Sequence, residues 1–322
     1  MQGTVVKLDR GFPLVRLEDG REIRCEHAVS LVKNHPDRAV IGDKVIVQIP
    51  EGHDKGIIET TLPRTTKFVR KDPTERALPQ TLAANFDVVL VAQPLEDIQY
   101  RRLERELVLA HETGAEVIVV LTKADLIKSQ EEIRKIRARI DQFVGDDTVL
   151  VVTEKDPSSI KELETYIAQD DKMAVLIGRS GVGKSSLINL IVGHDLQQTT
   201  PVRERDKKGR HTTVSREIIT LPHGGSIIDM PGVRGLGLWD AEEGIGAAFS
   251  DVEDLARQCK FRDCTHNVEP GCAVRAAVEG GELSKRRLDS YLRLKEESVQ
   301  VQQRREEAQR IRTRRGHPRR RG

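Results

Sequence analysis

Short alternations of apolar and polar residues fill the start of the chain. Residues 3–8, 14–17, 22–25, 44–49 and 55–60 each read as a strand, with turn signals at Asp19-Gly20 and Gly42-Asp43. Five short strands so closely spaced predict a small all-β barrel over residues 1–63. An OB-fold is the natural candidate and an SH3-like barrel its main competitor. Residues 64–82 are polar and basic, carry two prolines and show no clear period, which predicts a linker. Beyond them the pattern changes. Apolar strand runs at 86–92, 116–121, 149–152 and 173–177 alternate with helical periods near 101–112, 133–144, 160–167 and from 184 onward. Strands at 217–220 and 226–229 follow. This alternation predicts an α/β domain over 83–235 with a mostly parallel sheet covered on both faces. From about residue 236 helical patterns dominate to the end at 322, with one long, highly charged helix expected from 282 to about 311. The fold class is therefore multidomain: an all-β barrel, a central α/β domain and a mostly helical C-terminal domain.

Composition adds two constraints. The longest apolar runs, 88–92 and 117–121, are far too short to span a membrane. The N-terminus MQGTVVKLDR has no apolar segment of the secretory kind. A cytoplasmic protein without membrane contact is expected. The net charge of +2 is the sum of +7 on residues 310–322, which hold seven arginines and no acid, and −5 on the rest. A basic tail on a mildly acidic body favours a polyanionic partner, RNA foremost, although a merely solvated tail has the same composition.

Gly178-Arg179-Ser180-Gly181-Val182-Gly183-Lys184-Ser185 matches the phosphate-loop pattern in full, followed by Ser186. It follows an apolar strand and opens a helix, the context that the motif requires. Glycines let backbone N–H groups turn inward around phosphate oxygens, and the helix N-terminus adds its positive end. Lys184 is then the group for the β- and γ-phosphates, and the Ser185 hydroxyl a ligand for magnesium.

Thr122-Lys123-Ala124-Asp125 closes another apolar strand and resembles the guanine-specificity motif of translation-factor GTPases. The Asp125 carboxylate can accept from both guanine N1–H and N2–H₂, which adenine does not offer, and the Lys123 stem can lie across the base. Thr153, at the end of the strand run 149–152, is placed to supply a further base-contacting loop. In ordinary GTPases the base motif lies downstream of the phosphate loop. Here it comes first, which is a circular permutation.

Two switch segments follow. Gly209-Arg210-His211-Thr212-Thr213 sits in a polar, basic stretch and reads as switch I, with Thr212 or Thr213 the contact for magnesium and the γ-phosphate. Asp229-Met230-Pro231-Gly232 ends a strand and fits switch II: Asp229 for magnesium, the Gly232 N–H for the γ-phosphate. Val233 stands where a water-orienting glutamine is usual, leaving His211 as the nearest protic candidate in the motifs. A metabolite kinase or ATPase would not need Thr122–Asp125. An RNA-binding scaffold with a non-hydrolysing site would not need Lys184, Ser185 and Asp229 intact.

Of the four cysteines, Cys259, Cys264 and Cys272 cluster with His266 within fourteen residues. Three thiolates and one imidazole suit a closed, tetrahedral structural zinc site with no open position for catalysis. Cys25 lies on an expected barrel strand and reads as a buried apolar residue.

Barrel, permuted motifs and Cys/His spacing together resemble the small-ribosomal-subunit-dependent GTPase A (RsgA) family over nearly the whole chain. The resemblance implies an OB-fold, a circularly permuted GTPase domain and a C-terminal zinc domain. It implies GTP/GDP with Mg²⁺ and one structural Zn²⁺ as cofactors. It also implies GTP hydrolysis stimulated by the small (30S) ribosomal subunit, late maturation of that subunit, and contact with its 16S rRNA. A monomer is expected. Phe12 is the single aromatic residue of the barrel segment, so shape and phosphates rather than base stacking are its expected means of binding RNA.

Overall fold

The computed structural model of the chain describes residues 1–9, 12–34, 38–71, 79–193, 216–230 and 241–315. The N-terminal strands are β1 (Gln2–Asp9), β2 (Phe12–Leu17) and β3 (Glu22–His27), then helix α1 (Val29–Asn34), β4 (Lys44–Gln48) and β5 (Gly56–Thr61). The ladder runs β1-β2-β3-β5-β4 and closes from β4 back to β1, with only β3–β5 parallel. A closed five-strand barrel with a helix between its third and fourth strands is the OB arrangement, which sets aside the SH3-like competitor. Its interior is filled by alternate residues, among them Val5, Val15, Val45, Val47 and Ile58, all at 1% exposure or less. Cys25 is in this core, and burial pushes its thiol up to about 11.

The segment expected to be a linker contains a hairpin. β6 (Lys67–Lys71) and β7 (Pro79–Ala84) pair antiparallel. Phe68 and Leu82 are fully buried, but two apolar anchors among many charges leave no readable period. The hairpin is fastened to the barrel. Gly42, at φ +84°, packs so tightly on the Ala84 carbonyl that a side chain would collide with it. The Arg64 guanidinium grips the fully buried Asp43 carboxylate at 2.7 and 2.8 Å. Losing the arginine alone would strand a buried charge at a cost of about 3–5 kcal/mol.

The central domain is built from β8 (Val88–Pro94), α2 (Tyr100–His111), β9 (Glu116–Thr122), α3 (Gln130–Val144) and β10 (Thr148–Val151). It continues with α4 (Pro157–Ala168), β11 (Met173–Ile177), α5 (Lys184–Val192), β12 (Arg216–Thr220) and β13 (Ser226–Asp229). The strand order is β10-β9-β8-β11-β13-β12, parallel except for β12. Every residue of β8 is buried, as a strand covered on both faces must be. Helix starts are written locally: Ser129 caps α3, and Asp156 with Pro157 opens α4. The chain builds outward from β8 to β10 and then returns to the other side of β8 with β11. That reversal opens a crevice at the carboxyl ends of β8 and β11, where ligands of such sheets bind.

Two long-range joints are absent from the local pattern. The end of β1 pairs with β12 (Lys7↔Glu217, Leu8↔Arg216), fusing barrel and central sheet into eleven continuous strands. The C-terminal helices α6 (Glu242–Ala248), α7 (Ser250–Ala256), α8 (Ala273–Glu279) and α9 (Lys285–Arg315) share one hydrophobic core with the α2 face of the central domain. Gly244 of α6 packs directly on the Val108 carbonyl of α2, and its N–H donates to Glu112 at 2.8 Å. Arg105 of α2 forks onto Glu297 of α9. Leu288, Tyr291 and Leu294 bury the first part of α9.

Candidate active site and metal centre

The loop from β11 to α5 needs its glycines. Gly178, Gly181 and Gly183 have φ of +145°, +82° and +99°, and a Cβ on Gly178 would sit 2.7 Å from the Ala92 carbonyl. Gly183 caps α5 without a side chain, so the first N–H groups of that helix face outward over the loop. Lys184 folds back across it, donating to the Gly178 and Arg179 carbonyls at 2.8 and 2.9 Å. Burial lowers the Lys184 pKa, and the carboxylates of Asp229 and Glu106 pull it back up. The ammonium is thereby held at the mouth of a ring of backbone donors, with Asp229 at the end of the neighbouring strand. Arg179 turns outward to an ion pair with Asp97 at 2.6 Å.

Beside the loop is a cavity of about 210 Å³ lined by Thr122, Lys123, Asp125, Thr153, Gly183 and Ser186. The Thr122 hydroxyl donates to the Val182 carbonyl at 2.5 Å. Lys123 adopts a left-handed backbone (φ +58°), a strained conformation for a residue with a Cβ. Its ammonium lies 3.8 Å from Glu96. The Thr153 hydroxyl donates to Asp125 Oδ1 at 3.4 Å, and both residues line the cavity. The pocket thus sets the Asp125 carboxylate beside the apolar side chains of Leu126, Val152, Leu187 and Leu190, a lining that suits a purine with two adjacent donors.

Cys259, Cys264, His266 and Cys272 place their ligand atoms within 4.8 Å of one another. The Cys259 and Cys272 sulfurs are 3.9 Å apart, and His266 Nδ1 is 3.6 and 3.5 Å from them. Ligands about 2.3 Å from one tetrahedral centre would be ~3.8 Å apart, so this donor set fits zinc. Burial pushes the Cys264 thiol up to about 11, and the neighbouring Cys272 and Cys259 add to it. Adjacent thiolates need a cation to coexist. Glu269 shapes the loop: it accepts from the Thr265 N–H and hydroxyl at 2.9 and 2.5 Å and from the Asn267 and Val268 N–H groups, both at 3.1 Å. Those bonds, Thr265 foremost, hold its carboxyl at about 2.

The model of the RsgA GTPase family matches residues 61–239, and a Small ribosomal subunit biogenesis GTPase RsgA from Streptomyces avermitilis is 41% identical over 303 residues, 94% of this chain and 80% of that one. The chain belongs to the RsgA GTPase family. Solved structures are similar throughout. YjeQ from Thermotoga maritima superposes with a TM-score of 0.69 at 26% identity, over 92% of this chain and 98% of that one. YloQ, described as a circularly permuted GTPase, gives 0.65 at 29%, over 94% and 95%. GTP hydrolysis is the reaction of this RsgA-family enzyme.

In this RsgA GTPase the base-motif residues and the phosphate loop meet at one end of the sheet, with Ser186 on the base side of the loop. His211, Thr212, Thr213 and Gly232 lie outside the described residues. Leu126, Val152, Glu154, Leu187 and Leu190 also line the cavity and were not singled out from the sequence. Their signal was adjacency: Leu126, Val152, Glu154 and Leu187 adjoin a motif residue, and Leu190 lies one helix turn beyond Ser186. Glu269 was missed as well, though an acid between His266 and Cys272 was visible.

Proposed function

We propose that this GTPase binds the small (30S) ribosomal subunit, contacts its 16S rRNA and assists its late maturation, with GTP hydrolysis stimulated by the subunit. The observation that carries the reading is the combination, in one permuted fold, of a pocket lined by Thr122, Lys123 and Asp125 tied to a phosphate loop and a Cys₃His cluster in the loop between α7 and α8, whose helices share a core with α2. The relative from Streptomyces avermitilis is named for small ribosomal subunit biogenesis. Residues 178–186 would cradle the phosphates, with Lys184 on the β- and γ-oxygens. Thr122, Lys123, Asp125 and Thr153 would select guanine. Ser185 and Asp229 would hold Mg²⁺, with Thr212 or Thr213 and Gly232 completing the switches and His211 the candidate for steering water. Magnesium, when bound, neutralises charge on the transferring phosphoryl group. Cys259, Cys264, His266 and Cys272 would hold one structural Zn²⁺, all four positions being filled by protein.

The partner contact is electrostatic in this reading. The barrel exposes Phe12 at 45% with Lys55 5.4 Å over its ring, and α9 leads into the arginine-rich tail. The protein would act as a cytoplasmic monomer; among the described residues no helix is long and apolar enough to cross a membrane. The test is GTP hydrolysis with and without purified small subunits, using large subunits and Lys184→Ala as controls. Stimulation by small subunits alone, lost in the variant, is expected. Equal stimulation by both subunits, or none, would sink the ribosomal part of the proposal.

A further inference from the structure

Next to the phosphate loop, α2 carries a cation that no motif includes. Arg102 lies in the first turn of α2 and donates through Nε to Glu106 Oε1 at 2.8 Å. Glu106 is fully buried, and burial raises its pKa. Its second oxygen accepts from Gln93 Nε2 at 2.5 Å. Gln93 belongs to β8, beside Ala92, whose carbonyl packs on Gly178 of the loop. The chain Arg102–Glu106–Gln93 is therefore built onto the strand that supports the phosphate loop. Arg102 keeps 38% of its side chain exposed, and its Nη1 and Nη2 have no hydrogen-bond partner among the described residues. Its charge reaches Lys184, whose ammonium it disfavours. A guanidinium anchored at Nε by a buried carboxylate, with both Nη groups unpaired among the described residues, is a fork held ready for two oxygens of an oxyanion such as phosphate.

We propose that Arg102 is a catalytic arginine supplied in cis, its Nη groups donating to the phosphate chain of GTP, with Glu106 and Gln93 as positioning residues. In the reaction, the water oxygen bonds to the γ-phosphorus as the bond to the β–γ bridging oxygen breaks. The electron pair stays on GDP, and the water's proton leaves with inorganic phosphate. Negative charge growing on the bridging and β-oxygens is what a guanidinium at this place stabilises. The inference rests on GTP hydrolysis at the phosphate loop and is independent of the ribosomal partner.

The experiment is single-turnover GTP hydrolysis by the full chain without ribosomal subunits, with Lys184→Ala as background. Arg102→Ala, Arg102→Lys and Glu106→Gln are compared for rate, for GDP affinity, for binding of GDP with aluminium fluoride, and for thermal unfolding. The expected result for Arg102→Ala is a rate lower by roughly tenfold to a hundredfold, with GDP affinity within about twofold and the aluminium fluoride complex lost. Arg102→Lys, which keeps the charge over Glu106 but not the fork, falls between; it carries the test if the alanine variant does not fold. Glu106→Gln lowers the rate less than Arg102→Ala. An unchanged rate in both Arg102 variants, or a fall matched by equal losses of GDP affinity and thermal stability, overturns the proposal and leaves Arg102 as the neutraliser of Glu106.

Discussion

The Thr122 hydroxyl donates to the Val182 carbonyl at 2.5 Å, across 60 residues of chain. Through that bond the end of β9 and the phosphate loop become one rigid wall rather than two neighbouring loops. Thr122→Val keeps the shape, removes the donor and leaves a buried carbonyl unsatisfied, a loss of about 1–3 kcal/mol. GTP and GDP affinity should fall together by roughly tenfold or more, while the preference for GTP over ATP persists because Asp125, the proposed reader of guanine, is untouched. Titration with the three nucleotides checks this. Unchanged affinities would mean that the hydroxyl bridge does not support the site.

Cys272 has two tasks. Its sulfur lies among the other three ligand atoms, and it accepts from the Arg275 N–H at 3.4 Å as the N-cap of α8. Serine keeps the cap and loses the soft thiolate. Cys272→Ser should therefore drop the zinc proposed for this cluster from about one per chain to well below it, and lower the unfolding temperature, while intrinsic GTP hydrolysis survives. Elemental analysis with a melting curve decides the matter; full zinc content in the variant would remove Cys272 from the ligand set.

Glu104 shows how tightly the C-terminal helices sit on α2. It is 1% exposed, neither carboxylate oxygen has a well-formed hydrogen bond among the described residues, and Arg293 of α9 is 3.7 Å away. Burial raises its pKa above the ordinary 4.5 despite the nearby Ser290 hydroxyl and arginines. The folded state then favours the protonated acid, so stability is highest below the unfolded pKa and declines as pH rises through the folded one. Glu104→Gln removes that decline. Its unfolding temperature should exceed the parent's at pH 8, and the gain should shrink toward pH 4.5. A gain independent of pH would show that ionisation of Glu104 is not the cause.

The chain alone determined what depends on neighbours in sequence. Gly178, Gly181 and Gly183 read as a phosphate loop because only glycine holds those backbone angles, and the order of Thr122–Asp125 before Gly178 already stated the permutation. The Cys/His spacing of 259–272 worked in the same way. Tertiary structure decided everything set by burial between distant segments. The pair Arg102 and Glu106, at i and i+4, looks like an ordinary solvated helix face; only docking of α2 onto β8 buries the acid and frees the arginine's fork. Phe68 and Leu82 hid a hairpin in a charged stretch, β1 joined the barrel to β12 by two residue pairs, and Gly244 merged the C-terminal helices with the core of α2. None of these leaves a period in the sequence, because each contact is made by one or two residues whose partners are chosen by the packed fold and not by their neighbours along the chain.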